Sequence, residues 1–124
     1  MVEHEAGRLE PGRWLGKTVE VQVDRPMHSQ HPEHGFTYGI NYGFVPGTVA
    51  PDGEEIDAYV VGAQGPIKHC IGLVVAVIVR SNDSEDKLVV SVAGEWNERS
   101  VADAVRFQEQ FFDSIVVAEV GFRL

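Results

Sequence analysis

Four carboxylates lie close together in the sequence, at Asp52, Glu54, Glu55 and Asp57, and they bracket Gly53. In an extended chain, alternation places Asp52 and Glu54 on one side, and Asp57 follows after a short turn. Carboxylates that converge in this way repel one another unless a cation lies between them, and magnesium prefers oxygen ligands of this kind. The segment therefore indicates a divalent-cation site, with a solvated acidic turn as the alternative for so short a motif.

The sequence around this acidic segment resembles the soluble family I inorganic pyrophosphatases. The family pattern of Asp, small residue, Asp, Pro or Glu, aliphatic residue and Asp matches DGEEID at 52–57. The Asn-Tyr-Gly segment of the family matches NYGFV at 41–45, and its Val-Asp-Arg matches residues 23–25. The resemblance is specific from 19 to 61 and weakens beyond, and it departs from the pattern at Glu54, where the family has Asp.

The resemblance implies roles for individual residues. Catalysis falls to Glu54, matched to the acceptor of a proton from the nucleophilic water, and to Asp57. The residues matched to phosphate binding are Arg25, Tyr38, Tyr42 and Lys87. The residues matched to metal ligands are Asp52, Asp57, Asp83 and Asp86, with Asp57 contacting two ions. In the second acidic turn Glu85 is the alternative to Asp86, and a solvated turn is the alternative to a metal site.

The implied activity is magnesium-dependent hydrolysis of inorganic diphosphate to two phosphates by a metal-activated water. A related small phosphoanhydride fits as substrate too, and Mn²⁺ is the alternative to Mg²⁺. The phosphate site looks incomplete, because the family's Tyr-Lys pair near the end of the helix is replaced around Phe111-Phe112-Asp113. The alternatives are a catalytically weak or inactive barrel that binds a phosphorylated ligand or a protein partner, and a purely structural barrel.

Composition narrows the class of protein. Residues 1–16 mix charged residues, Gly and Pro without a period, which predicts a flexible N-terminal arm. The length of 124 residues predicts a single domain, over 17–124. A formal charge of −9 argues against a nucleic-acid binder that depends on phosphate contacts. No apolar run reaches the roughly 18 residues of a membrane span, and no signal peptide opens the chain. We expect a cytoplasmic protein without a membrane partner, and a homo-oligomer.

Hydrophobic patterning predicts a mainly β (α+β) fold. The predicted strands are 17–24, 56–62, 71–79, 87–92 and 115–123. The run at 71–79 is apolar throughout and predicts a central strand buried on both faces, whereas 38–51 is rich in Gly and Pro and predicts a loop. One helix begins at Ser100, with an apolar face that extends to Phe111 and Phe112. Together these elements predict a small OB-like five-stranded β-barrel with the helix packed on it.

Three histidines, His28, His31 and His34, follow the first strand at a spacing of three. On a helix this spacing would bring two zinc ligands to one face. Pro32 and Gly35 interrupt the segment, and it has no apolar periodicity. The sequence therefore favours a polar loop that borders the predicted phosphate site.

Overall fold

A computed structural model describes residues 8–50, 53–81, 83 and 85–118. The elements are α1 (Pro11–Trp14), β1 (Thr18–Arg25), β2 (Asn41–Val45), β3 (Ile56–Val61), β4 (His69–Arg80), β5 (Lys87–Ser91), α2 (Glu98–Glu109) and β6 (Ser114–Val117). The strands follow the order β1-β2-β3-β5-β4, and β4 also pairs with β1, so five strands close a barrel. Only β3 and β5 run parallel among these pairs. The predicted five-stranded barrel with one packed helix is confirmed. The strand predicted at 115–123 is present as β6, an extra strand that pairs with β4, and residues 119–123 of that prediction lie outside the described residues.

The barrel has one apolar core inside and a second between its wall and α2. On β3, Ala58 and Val60 point into the barrel, whereas Tyr59 and Val61 point to the helix side. Val105 of α2 packs in this second cluster. Because successive side chains of a strand face opposite ways, one strand contributes to both cores.

The long strand β4 differs from its prediction. It was expected to be buried on both faces, but Ile71 is 65% exposed and Leu73 is 46% exposed. Its first residues, 69–73, pair with β1, whereas its last residues, 77–80, pair with β6. In the described part of the chain, α2 covers only the later half of the strand, so the outer face of the first half stays in contact with solvent.

Strand β2 was predicted as part of a loop, and that prediction is wrong. Gly43 lies in the middle of the strand, opposite Val23 of β1. A Cβ atom at Gly43 would lie only 1.8 Å from the carbonyl oxygen of Gln22. The glycine that resembled a turn signal instead permits two strands to approach closely at a bulge.

The helix α2 begins two residues earlier than predicted, at Glu98. Asn97 is the N-cap: its Oδ1 accepts a hydrogen bond from the Ser100 N–H at 2.9 Å, and Ser100 Oγ accepts one from the Asn97 N–H at 3.0 Å. Phe111 and Phe112 follow the end of the helix instead of extending its buried face, and they are 61% and 36% exposed.

Neither helix of the described chain is long and apolar enough to cross a membrane.

The described part of the predicted N-terminal arm, residues 8–16, contacts the barrel. Leu9 is 8% exposed and belongs to the inner core, where Trp14 and Leu15 also pack. The Gly16 N–H donates to the Val74 carbonyl at 3.0 Å. The division of the chain at residue 16 stays a prediction.

Candidate active site

A cavity of about 390 Å³ opens where one end of the barrel meets the end of α2 and the loop of residues 26–38, which we name the histidine loop. The ends of strands β1 to β5 supply most of its charged residues, and the histidine loop and the segment after α2 supply aromatic rings. The lining residues are Asp24, Arg25, His31, Glu33, His34, Phe36, Tyr38, Tyr42, Asp57, Arg80, Glu85, Lys87, Gln108 and Phe112. Its size lies within the range of roughly 300–1,000 Å³ that is usual for small-molecule sites.

The sheet brings the predicted substrate-binding residues together. Arg25 pairs with Tyr42 across β1 and β2. The register of this pairing shifts between Val23 and Arg25, and such a bulge redirects side chains. Both Asp24 and Arg25 line the cavity as a result, although alternation along a regular strand would send them to opposite faces.

Lys87 connects two of the predicted groups. Its side chain is 2% exposed, and Nζ donates to Asp57 Oδ2 at 3.0 Å and lies 3.8 Å from Glu85 Oε1. The same Nζ lies 5.4 Å from the centre of the Tyr42 ring. A buried ammonium group is costly unless it is paired, so the carboxylates around Lys87 permit its charge to exist there.

Two tyrosines of the cavity stay neutral. Burial, followed by the negative charge of Asp57, raises the pKa of the Tyr42 phenol well above its usual value. Burial also raises the pKa of Tyr38, and Arg25 opposes this shift. Both phenols therefore retain their protons at neutral pH and act as hydrogen-bond donors, as phosphate oxygens require.

Asp24 is a cavity carboxylate to which the sequence assigned no role. Its pKa is raised first by burial, with Arg25 opposing, and the charges of Asp57 and Glu55 raise it further. Negative charge is therefore concentrated at the ends of β1 and β3. Asp24 is the middle residue of the Val-Asp-Arg motif at 23–25, and that motif is the sequence signal that identifies it.

The acidic segment contains two further predicted site residues, Asp52 and Glu54. Asp52 lies outside the described residues. Glu54 lies in an exposed turn and is not among the residues that line the cavity. The Ala50 N–H donates to the Glu54 carbonyl at 2.7 Å, and Gly53 has a φ of 88°. The role of Glu54 as proton acceptor stays a prediction.

The second acidic turn contributes Glu85, the alternative that the prediction had left open. Asp86, the residue preferred in the prediction, is buried, and its carboxylate accepts from the Leu9 N–H at 2.9 Å and the Arg80 N–H at 3.0 Å. Asp83 Oδ2 accepts from Arg80 Nη1 at 3.2 Å. Neither Asp83 nor Asp86 lines the cavity, whereas Glu85 does. Of the described carboxylates in this turn, Glu85 is therefore the one that lines the cavity.

Arg80, which lines the cavity, belongs to a buried ion pair that was not predicted. Arg80 donates to Glu109 from Nη2 at 2.7 Å and from Nε at 3.1 Å. Although burial alone would raise it, hydrogen bonds from Arg80, Ser114 and Tyr59 lower the pKa of Glu109. The Arg80 guanidinium also lies 3.6 Å from the centre of the Phe112 ring. An arginine that ends an apolar strand was the available signal, but its partner is distant in sequence.

The cavity offers the type of ligand that a hard cation prefers, but its described carboxylates do not converge on one point. Asp24, Asp57 and Glu85 offer carboxylate oxygens, which magnesium prefers. Across residues 8–50, 53–81, 83 and 85–118, no three His, Cys, Asp or Glu side chains converge as a metal-binding group. The space between Asp57 and Glu85 is instead taken by the Lys87 ammonium.

Comparison with known proteins relates this geometry to others. A family model described as inorganic pyrophosphatase matches residues 14–116. No curated protein matches the sequence. Among solved structures, an inorganic pyrophosphatase from Ehrlichia chaffeensis is similar with a TM-score of 0.63 and 16% identity, over 90% of this chain and 89% of that one. One from Neisseria gonorrhoeae gives 0.57 and 18%, over 85% and 82%.

These structural matches are at low identity and demonstrate a shared fold. A pyrophosphatase from Helicobacter pylori, with a TM-score of 0.55 and 15% identity over 83% of this chain and 82% of that one, supports the same conclusion. The family match spans the barrel, α2 and most of β6 and includes every lining residue of the cavity. The chain belongs to the inorganic pyrophosphatase family.

Proposed function

We propose that this protein hydrolyses inorganic diphosphate to two phosphates with magnesium. The observation that carries the proposal is the arrangement of opposite charges in one cavity, where Arg25 and Lys87 lie beside Asp24, Asp57 and Glu85. A phosphoanhydride with bound divalent cations also presents both kinds of charge: its phosphate oxygens are negative, and the cations are positive. Family membership supports the choice of diphosphate among such substrates.

The carboxylates Asp24, Asp57 and Glu85 would hold magnesium, together with Asp52 from the undescribed part of the acidic segment. When bound, magnesium neutralises phosphate oxygens and lowers the pKa of a water that attacks phosphorus. Its usual coordination by one or two carboxylates, several waters and phosphate oxygens demands few protein ligands. A site with three lining carboxylates is sufficient for that mode of binding.

The side chains of the cavity have separable roles in this proposal. Arg25 offers a planar fork of N–H donors to a phosphate group. Tyr38 and Tyr42 donate phenolic protons, which burial keeps on the oxygens at neutral pH. Lys87 exchanges its bond to Asp57 for one to phosphate, which frees the carboxylate for a cation. Glu54 as the proton acceptor requires the 53–55 turn to move toward the cavity.

A second candidate function rests on the Lys87–Asp57 ion pair at 3.0 Å. A site whose cation and anion already neutralise each other binds metal more weakly than one with free carboxylates. The chain would then be a weak or inactive barrel that binds a phosphorylated ligand without hydrolysing it. This candidate differs from the first in metal affinity and in turnover.

Phosphate release from diphosphate with magnesium separates the two. We expect release by the wild type and a loss of roughly a hundredfold or more in Asp57→Asn, because the amide keeps the shape of the carboxylate but has no negative charge for the cation, and changes even to the groups that support metal ligands cost about 10–100-fold. The control is Asp103→Asn, which changes an exposed carboxylate of α2 in the same way and should retain the wild-type rate.

Two results would contradict the hydrolase proposal. The first is an absence of release above background at every magnesium concentration. The second is equal release by the wild type and Asp57→Asn. Thermal stabilisation by diphosphate and magnesium without release would favour the binding function, because a ligand that binds only the folded state raises its stability.

A further inference from the structure

The histidine loop, residues 26–38, is a folded hairpin over the cavity. The His28 N–H donates to the Tyr38 carbonyl and the Tyr38 N–H to the Ser29 carbonyl, each at 2.8 Å. Nearer the tip, the His31 N–H donates to the Phe36 carbonyl at 2.8 Å. Asn41 Oδ1 anchors the start of the loop by accepting from the Met27 N–H at 2.9 Å. His31 therefore has a defined position.

The ring of His31 is oriented by the loop tip. Its Nδ1 accepts hydrogen bonds from the N–H groups of Glu33 and His34, both at 3.1 Å. A nitrogen that accepts cannot carry the proton, so the neutral ring is protonated at Nε2. Within the described residues Nε2 has no hydrogen-bond partner, and His31 lines the cavity. The free polar edge of the ring is thus the donor edge.

The surroundings of His31 favour this neutral form. Burial, the neighbouring His34 and Arg25 lower its pKa, while Glu33 opposes them. The ring stacks against Tyr38 with centroids 6.2 Å apart and an angle of 15°. Tyr38 in turn contacts Tyr42, with centroids 5.5 Å apart. His31 continues a row of neutral donors along one wall of the cavity.

We infer that His31 binds substrate by donating its Nε2–H to a phosphoryl oxygen of the bound phosphoanhydride. The inference rests on the proposed function. Phosphoryl oxygens are acceptors only, and an uncharged donor serves them without repelling the magnesium ions that accompany the substrate. The sequence analysis gave this loop a bordering position and no role. The tip geometry assigns the role to one atom of one residue.

Two substitutions at position 31 separate binding from loop structure. The Oδ1 of asparagine reaches the place of Nδ1 and can accept from the same two N–H groups, but asparagine has no group at the place of Nε2. His31→Asn therefore keeps the loop and removes the donor, whereas His31→Ala removes both. The matched control is His69→Asn on β4, where His69 lies away from the cavity and pairs with Glu20 at 3.6 Å.

The measurements are the affinity for imidodiphosphate with magnesium, by calorimetry, and KM for diphosphate. A hydrogen bond to a charged group corresponds to about a tenfold change in affinity or more. We expect His31→Asn to bind imidodiphosphate about tenfold more weakly than the wild type at an unchanged melting temperature. His69→Asn should bind as the wild type does. On wild-type protein, nitrogen NMR of the ring should show Nε2 protonated and shifted by imidodiphosphate.

The outcomes distinguish this inference from the proposed function. If the wild type binds and hydrolyses diphosphate but His31→Asn binds equally tightly, the inference about His31 is wrong and the hydrolase stands. If the Nε2 resonance does not move on saturation, the same conclusion holds. If the wild type neither hydrolyses diphosphate nor binds imidodiphosphate, the proposed function is wrong, and the role of His31 with it.

Discussion

Neutralising Glu109 should destabilise the fold strongly, because it leaves the Arg80 charge buried. The two side chains are 3% and 6% exposed, and Arg80 reaches Glu109 through two hydrogen bonds. Removing one partner of such a pair costs about 3–5 kcal/mol. Asp83 still lies 3.2 Å from Arg80 after the change. We therefore expect the low end of that range for Glu109→Gln, about 3 kcal/mol.

Urea unfolding followed by tryptophan fluorescence measures this free energy. The control is Asp103→Asn on the same helix, where the ion pair with Arg106 is 3.3 Å long but its side chains are 64% and 69% exposed. Exposed pairs contribute only about 0.2–1 kcal/mol, so this variant should unfold almost as the wild type does. The two variants differ in burial, which isolates the effect of burying an unpaired charge.

A double-mutant cycle tests the physical reason. Arg80→Met removes the charge that Glu109→Gln leaves unpaired, so the double variant should be more stable than the two single losses predict, by about 1–3 kcal/mol. Strict additivity of the two changes would refute the reasoning, as would a loss in Glu109→Gln no larger than that in Asp103→Asn. Either result would mean that solvent reaches the pair.

Three further predictions concern the barrel and the cavity. Gly43→Ala should destabilise the fold by about 3 kcal/mol or more, since its Cβ would lie 1.8 Å from a β1 carbonyl oxygen, whereas Gly12→Ala meets nothing within 4 Å and should be neutral by thermal melting. The pKa of His31 lies below its ordinary value of 6.5, so the unfolded chain binds more protons and stability falls as the pH drops below that value; the fall between about pH 8 and pH 5 should be smaller in His31→Asn, and equal slopes would contradict this. Asp57→Asn should weaken magnesium binding more than Asp52→Asn in a calorimetric titration, if Asp57 contacts two ions, and equal effects would reject that role.

The barrel was predictable because its patterning is local. Alternating valines in β1 and the apolar run in β4 fix strand identity, and Lys87 follows a short turn that makes the hairpin with β4. Strand β2 was missed because its signal is not local. A carbonyl group of β1, some twenty positions earlier in the chain, leaves room only for a glycine at position 43. The sequence alone does not indicate that these two strands are in contact.

Cavity residues that lie on paired strands were predictable from sequence motifs. Cavity residues that lie in turns were not. Arg25, Tyr42 and Asp57 lie on paired strands, so their meeting follows from the register. In the second turn a single position decides which carboxylate faces the cavity, and hydrogen bonds from Leu9 and Arg80 to the buried carboxylate make that choice. Leu9 is 77 positions from its acceptor, so no local rule could have indicated it.

In the proposed function, Lys87 permits a chain with a formal charge of −9 to offer a site to an anion. Its ammonium neutralises Asp57 at 3.0 Å and approaches Glu85 at 3.8 Å, so the empty cavity is not a cluster of bare carboxylates. Diphosphate alone would meet the remaining acidic groups, and magnesium alone would meet the lysine. In the proposed function, Lys87 would bond to phosphate and the carboxylates to metal when both ligands are present, so each ligand would remove the obstacle to the other. The proposal therefore predicts positive coupling between metal and substrate, which originates in one ion pair.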